Sequence, residues 1–128
     1  MSDPQLGSVQ ERRILIVEDE YIIAFDLTRS LEELGIQVVG PASGVAEALR
    51  LVVTDGDRLN GAILDINLRG ERVYQVAQAL AARGVPFMFA TGYETSTIPD
   101  AYATVPRCEK PVDKARLVQW LSNNTSSK

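Results

Sequence analysis

Apolar residues along this chain fall into two alternating patterns. Short runs that are apolar at nearly every position give way to longer stretches in which apolar residues recur every three or four positions. "RILIV" (13–17), "IQVVG" (36–40), "GAILD" (61–65) and "PFMFA" (86–90) are of the first kind and predict buried strands. A short fifth strand is expected around 105–109. Between them, Ala24, Leu27, Leu31 and Leu34 predict a helix that stops at Gly35. Val45, Ala48, Leu49 and Val52 mark a second helical face. Val73, Val76, Ala77 and Leu80 mark a third, ended by Gly84. Leu117, Trp120 and Leu121 predict a last helix that starts from about Asp113 as N-cap.

Strands without polar alternation must be covered on both faces, which points to a parallel sheet between helical layers. Five such units fit an α/β, flavodoxin-like (βα)5 fold: a doubly wound, five-stranded parallel sheet in the order 2-1-3-4-5. The segment "GYETSTIPDAYATVP" leaves little room for a fourth helix. Pro99 and Pro106 bracket at most a turn or two around Asp100 to Thr104. One domain is expected over 12–122, with flexible tails at 1–11 and 123–128.

In such sheets ligands bind beyond the carboxyl ends of the strands, where the strand order reverses. Strand 1 ends in Glu18-Asp19-Glu20, strand 3 in Asp65-Ile66-Asn67, strand 4 in Thr91-Gly92-Tyr93 and strand 5 in Lys110-Pro111. Each has an ordinary reading: a helix N-cap for an acid, a turn hydroxyl for Thr91, a surface charge for Lys110. Their joint arrival on one rim is harder to dismiss, because clustered carboxylates repel one another unless a cation is present. Oxygen donors without His or Cys favour a hard cation, Mg2+. Asp65, on the central strand, is the best nucleophile for a phosphoryl group. Glu18 and Asp19 would hold the metal with Asp65, and the backbone carbonyl of Asn67 could add a ligand.

Composition narrows the partners. The chain has 128 residues, a net charge of −4 and a pI near 4.8, which argue against nucleic acid or an anionic membrane as partner. A single cysteine, Cys108, permits no internal disulfide and reads as a small buried apolar residue. Histidine is absent, which removes histidine-based zinc sites, Ser-His-Asp catalysis and a phosphohistidine in this chain. The first residues lack the order of a signal peptide, and no apolar run could span a bilayer, so a cytoplasmic monomer is expected.

"ILIVEDE", "AILDINLRGE", "FATGYE" and "EKP" resemble, in order, the four signature segments of a response-regulator receiver domain. The likeness covers roughly residues 12 to 122. It implies Asp65 as phosphoacceptor, Glu18 and Asp19 as Mg2+ ligands, and Thr91 with Lys110 as the phosphate-sensing pair. It also implies a Lys110–Pro111 bond that is often cis. "PFMFATGYE" is similar to the single-domain "FAT GUY" receivers, which are linked with alphaproteobacterial signalling, including the general stress response. The resemblance implies a histidine kinase or histidine phosphotransfer protein as donor. With almost nothing after the last helix, it implies output by contact with a downstream signalling protein or by phosphoryl passage.

Two features depart from the family. The place three residues before the lysine, usually an aromatic switch, holds Arg107. Its readings are a surface charge near the acidic rim, or a contact to Glu94, Glu109 or a partner. Tyr93, two residues after Thr91, either packs the loop or replaces the missing aromatic switch. Two other functions stand beside the leading one. A phosphorylation-independent interaction module is suggested by the altered switch. A small aspartate-nucleophile phosphatase would need an acid two places after Asp65, where this chain has Asn67.

Overall fold

The computed structural model describes residues 11–92 and 98–125. Its elements follow the apolar periodicity closely: β1 (Arg13–Val17), α1 (Tyr21–Glu33), β2 (Gln37–Ala42), α2 (Val45–Asp55) and β3 (Gly61–Asp65). There follow β4 (Asn67–Leu68), β5 (Glu71–Arg72), α3 (Tyr74–Ala82), β6 (Phe87–Thr91), β7 (Arg107–Glu109) and α4 (Lys114–Asn124). The main sheet is parallel with order β2-β1-β3-β6-β7. Counting only those five strands, this is the expected 2-1-3-4-5 doubly wound fold.

Strand alternation splits the core into two layers. Leu15, Val17, Leu64 and Phe89 face α2 and α3, while Ile14, Ile16, Ile63 and Met88 face α1 and α4. β3 is buried at all five of its positions. It is the middle strand, so Asp65 at its carboxyl end is held by neighbours on both sides.

Three boundaries differ from expectation. β2 continues past Gly40 to Ala42. The chain keeps its strand path there because Gly40 adopts φ +94 before a cis bond to Pro41, with a register shift against β1. α4 runs to Asn124, beyond the place at 122 where polar composition puts the tail. The polar side chains there satisfy the helix end instead of fraying it. Asn124 Nδ2 donates to Trp120 O at 2.9 Å and Thr125 Oγ1 donates to Leu121 O. Buried Arg12 then donates to Thr125 Oγ1 at 2.6 Å and to its carbonyl at 3.1 Å. The third difference is β4 and β5, an antiparallel ribbon that periodicity did not announce. Its two-residue turn needs positive φ twice, and Arg69 (φ 52) and Gly70 (φ 89) supply it.

The fourth-helix region is short, as expected: Asp100–Tyr102 form a single 3-10 turn. Tyr93 and Glu94 lie outside the described residues. The Lys110–Pro111 bond is cis. Asp113 occupies the N-cap position of α4 without a side-chain capping bond.

Candidate functional site

The strand ends meet as the topology requires. Asp19, Glu20, Asp65, Asn67, Thr91 and Lys110 line one open cleft of about 240 Å³, joined by Ile66, Arg72 and Gly92. Glu18 lies beneath it, almost fully buried. Glu18, Asp19 and Asp65 each present an oxygen, and these oxygens lie within 4.8 Å of one another.

Lys110 ties the cluster together. Its Nζ lies 2.6 Å from Glu18 Oε1 and 3.2 Å from Asp65 Oδ1. It is positioned through the edge of the sheet, where Lys110 N–H donates to Thr91 O at 2.8 Å as β7 leaves β6. Burial pulls the ammonium down, but Glu18 and Asp65 outweigh it and hold Lys110 above the ordinary lysine value. Glu18 uses its other oxygen, Oε2, to accept the Glu20 N–H at 3.0 Å, which fixes the start of α1.

Asp65 bears the cost of the arrangement. Burial first, and the Glu18 charge second, push its carboxyl up to about 7 against the pull of Lys110. One lysine does not balance three crowded acids. A hard divalent cation would relieve that repulsion, and an all-oxygen donor set suits Mg2+. The residues present therefore fit the metal expected from the sequence.

The β4–β5 ribbon forms a wall of the cleft. Asp19 Oδ2 accepts the Arg69 N–H at 3.1 Å, and Asn67 Oδ1 accepts the Gly70 N–H at 3.2 Å. Asn67 N–H faces Asp65 Oδ1 at 3.4 Å. Sequence reasoning missed this ribbon and, with it, Arg72. The signal available was "LRGE", a short hairpin turn with Gly in second place.

Thr91 is 2% exposed at the end of β6, beside Asp65 in the cleft lining. Arg107 is exposed at the start of β7, opposite Phe89, and not on the acidic rim. Strand alternation from buried Cys108 turns it toward the α3 side of the sheet, where its charge reaches Tyr74. An aromatic cluster occupies that side. Tyr74 stacks on Tyr102 with centroids 5.5 Å apart, and both meet Phe89 edge-on at 6.1 Å.

No family model and no curated protein matches the sequence. Solved structures do. SdrG from Sphingomonas melonis Fr1 is 42% identical with a TM-score of 0.77, over 88% of this chain and 94% of that one. The BeF3-activated conformation of SdrG from Pseudomonas melonis Fr1 is 41% identical with a TM-score of 0.72, over 86% of this chain and 92% of that one. The signal receiver domain of a modulated diguanylate cyclase from Desulfovibrio desulfuricans G20 is 28% identical, TM-score 0.74, over 90% of this chain and 94% of that one.

Proposed function

The chain belongs to the response-regulator receiver family, and on that premise we propose that it is a signalling protein phosphorylated on Asp65. One observation carries the reading. Asp65 sits at the carboxyl end of the central strand, 3.2 Å from Lys110 and grouped with Glu18 and Asp19, in a cleft that Thr91 also lines.

The roles follow from charge and position. An oxygen of Asp65 attacks phosphorus in line. The new O–P bond forms as the donor's bond to phosphorus breaks, and that electron pair leaves with the donor. Lys110 remains protonated and faces the phosphoryl oxygens. The Thr91 hydroxyl donates to one of them. Glu18, Asp19, Asp65 and the Asn67 carbonyl would hold Mg2+, which would offset the phosphoryl charge when bound. The 128 residues include no histidine, so a phosphohistidine donor belongs to a partner kinase or phosphotransfer protein. Output passes by contact with a downstream protein or by onward phosphoryl transfer. The "FATGYE" segment supports the FAT GUY subgroup and a role in the general stress response. That a relative was solved in a BeF3-activated conformation supports the phosphoacceptor reading, because BeF3− stands in for a phosphoryl group on aspartate.

The test is acetyl phosphate with Mg2+, read by gel mobility shift in wild type and Asp65→Asn. Wild type shifts and Asp65→Asn does not. Absence of a shift in wild type overturns the proposal. Arg107 in the place of the aromatic switch favours a second reading, a phosphorylation-independent interaction module. Normal signalling by Asp65→Asn would select it.

A further inference from the structure

Lys110 follows directly on β7, the strand of the main sheet least able to hold itself in place. β7 has three residues, lies at an edge and pairs with β6 alone. Cys108 is its single buried side chain, between exposed Arg107 and Glu109. So little buried surface does not by itself offset the chain freedom lost in seating a strand. The missing hold comes from the segment just before it.

Residues 98–106 lead into β7, and Tyr102 is their aromatic anchor. Its ring stacks on Tyr74 of α3, with centroids 5.5 Å apart and planes 10° apart. It meets Phe87 and Phe89 of β6 edge-on, at 6.2 and 6.1 Å. Ile98 and Val105 pack against the same core layer. The backbone carries this anchor to Lys110 in short steps. Val105 N–H donates to Tyr102 O at 3.1 Å, and Pro106 O accepts the Phe89 N–H at 2.9 Å. Arg107, Cys108 and Glu109 then pair with Phe89, Ala90 and Thr91. Phe89 is the common neighbour: its ring meets Tyr102, and its backbone pairs with the first residue of β7. Arg107 brings no ring to this face, so Tyr102 supplies it.

We propose that Tyr102 is a positioning residue for Lys110. Its ring seats the start of β7 and thereby sets the Lys110 ammonium between Glu18 and Asp65, facing an incoming phosphoryl group. This rests on the phosphoacceptor reading of Asp65. The carboxylates grouped for a metal follow β1 and end β3, so Tyr102 governs phosphoryl binding and not metal binding.

That split gives the test. Mg2+ affinity, BeF3− affinity at saturating Mg2+ and the Lys110 Cε chemical shift are measured for wild type, Tyr102→Phe, Tyr102→Leu and Tyr102→Met. NMR shifts report Mg2+, and bound 19F signals report BeF3−. Tyr102→Leu weakens BeF3− binding about tenfold, the worth of one misplaced charge-assisted hydrogen bond, and moves the Lys110 signal. Tyr102→Met does the same and carries the test if Tyr102→Leu does not fold. Tyr102→Phe stays within about twofold of wild type, because the hydroxyl's bond to Tyr74 O, at 3.4 Å, is long. Mg2+ affinity falls in none of the three. Equal BeF3− affinity in wild type and the ringless variants overturns the proposal. So does a parallel loss of Mg2+ and BeF3− binding, which marks a merely structural residue, or a Tyr102→Phe protein as weak as Tyr102→Leu. If wild type itself binds Mg2+ but not BeF3−, the failure lies in the phosphoacceptor reading of Asp65, and the role of Tyr102 falls with it.

Discussion

Asp65 shows how a single side chain records its surroundings. On a free chain its carboxyl would titrate near 3.8, but in the fold it is pushed up to about 7. The folded state therefore keeps a proton that the unfolded state has lost across this window. Stability contributed by that proton is present below about pH 4 and declines as pH rises through about 7. Metal-free wild type should lose stability relative to Asp65→Asn over this range, ending about 1–3 kcal/mol less stable at pH 8. Urea unfolding in EDTA at stepped pH measures it, and saturating Mg2+ should flatten the difference. A wild type that gains on Asp65→Asn as pH rises without metal would contradict the crowded-acid account. The acid, its strand end and its partners were legible in sequence. The strength of the coupling was not, because it depends on buried Glu18 lying beside Asp65 and on half-buried Lys110 standing at bonding distance from both.

At the scale of elements, the five core strands and four long helices follow the apolar period, because each face must be buried against another layer. The ribbon does not, since two-residue strands are too short to show a period. β2 overruns its expected end for a related reason: backbone geometry outranks composition at Gly40. A Cβ there would lie 2.7 Å from Ala42 N and 2.9 Å from Ile16 O, both backbone atoms that cannot step aside. Gly40→Ala should therefore destabilise by about 2–4 kcal/mol, seen as a lower urea midpoint. A shift below about 0.5 kcal/mol would mean that this strand path is not rigidly held.

Across the whole molecule, the two ends of the sheet do different work. The carboxyl ends of the strands carry the cleft. At the other end Arg12, just before β1, grips Thr125, just after α4, across 113 residues of sequence. Thr125 also packs against Gly61 at the start of β3. Thr125→Val keeps the shape but removes the hydroxyl that Arg12 and Leu121 share. It should cost about 1–2 kcal/mol in denaturant unfolding while leaving phosphorylation by acetyl phosphate unchanged. Loss of phosphorylation in a folded Thr125→Val protein would show that the two ends are coupled.

The sequence by itself determined the layered fold, the strand order and the set of acids, hydroxyl and lysine at the cleft. Those follow from local periodicity and from one topological rule about where parallel strands point. Only the tertiary structure decided the rest: the wall formed by β4 and β5, Arg72 at its edge, the sharing of Lys110 between Glu18 and Asp65, and the Tyr74–Tyr102 stack beside Phe89. The physical reason is common to all of them. Each depends on where side chains from distant segments point once packed, and neither period nor composition carries that information.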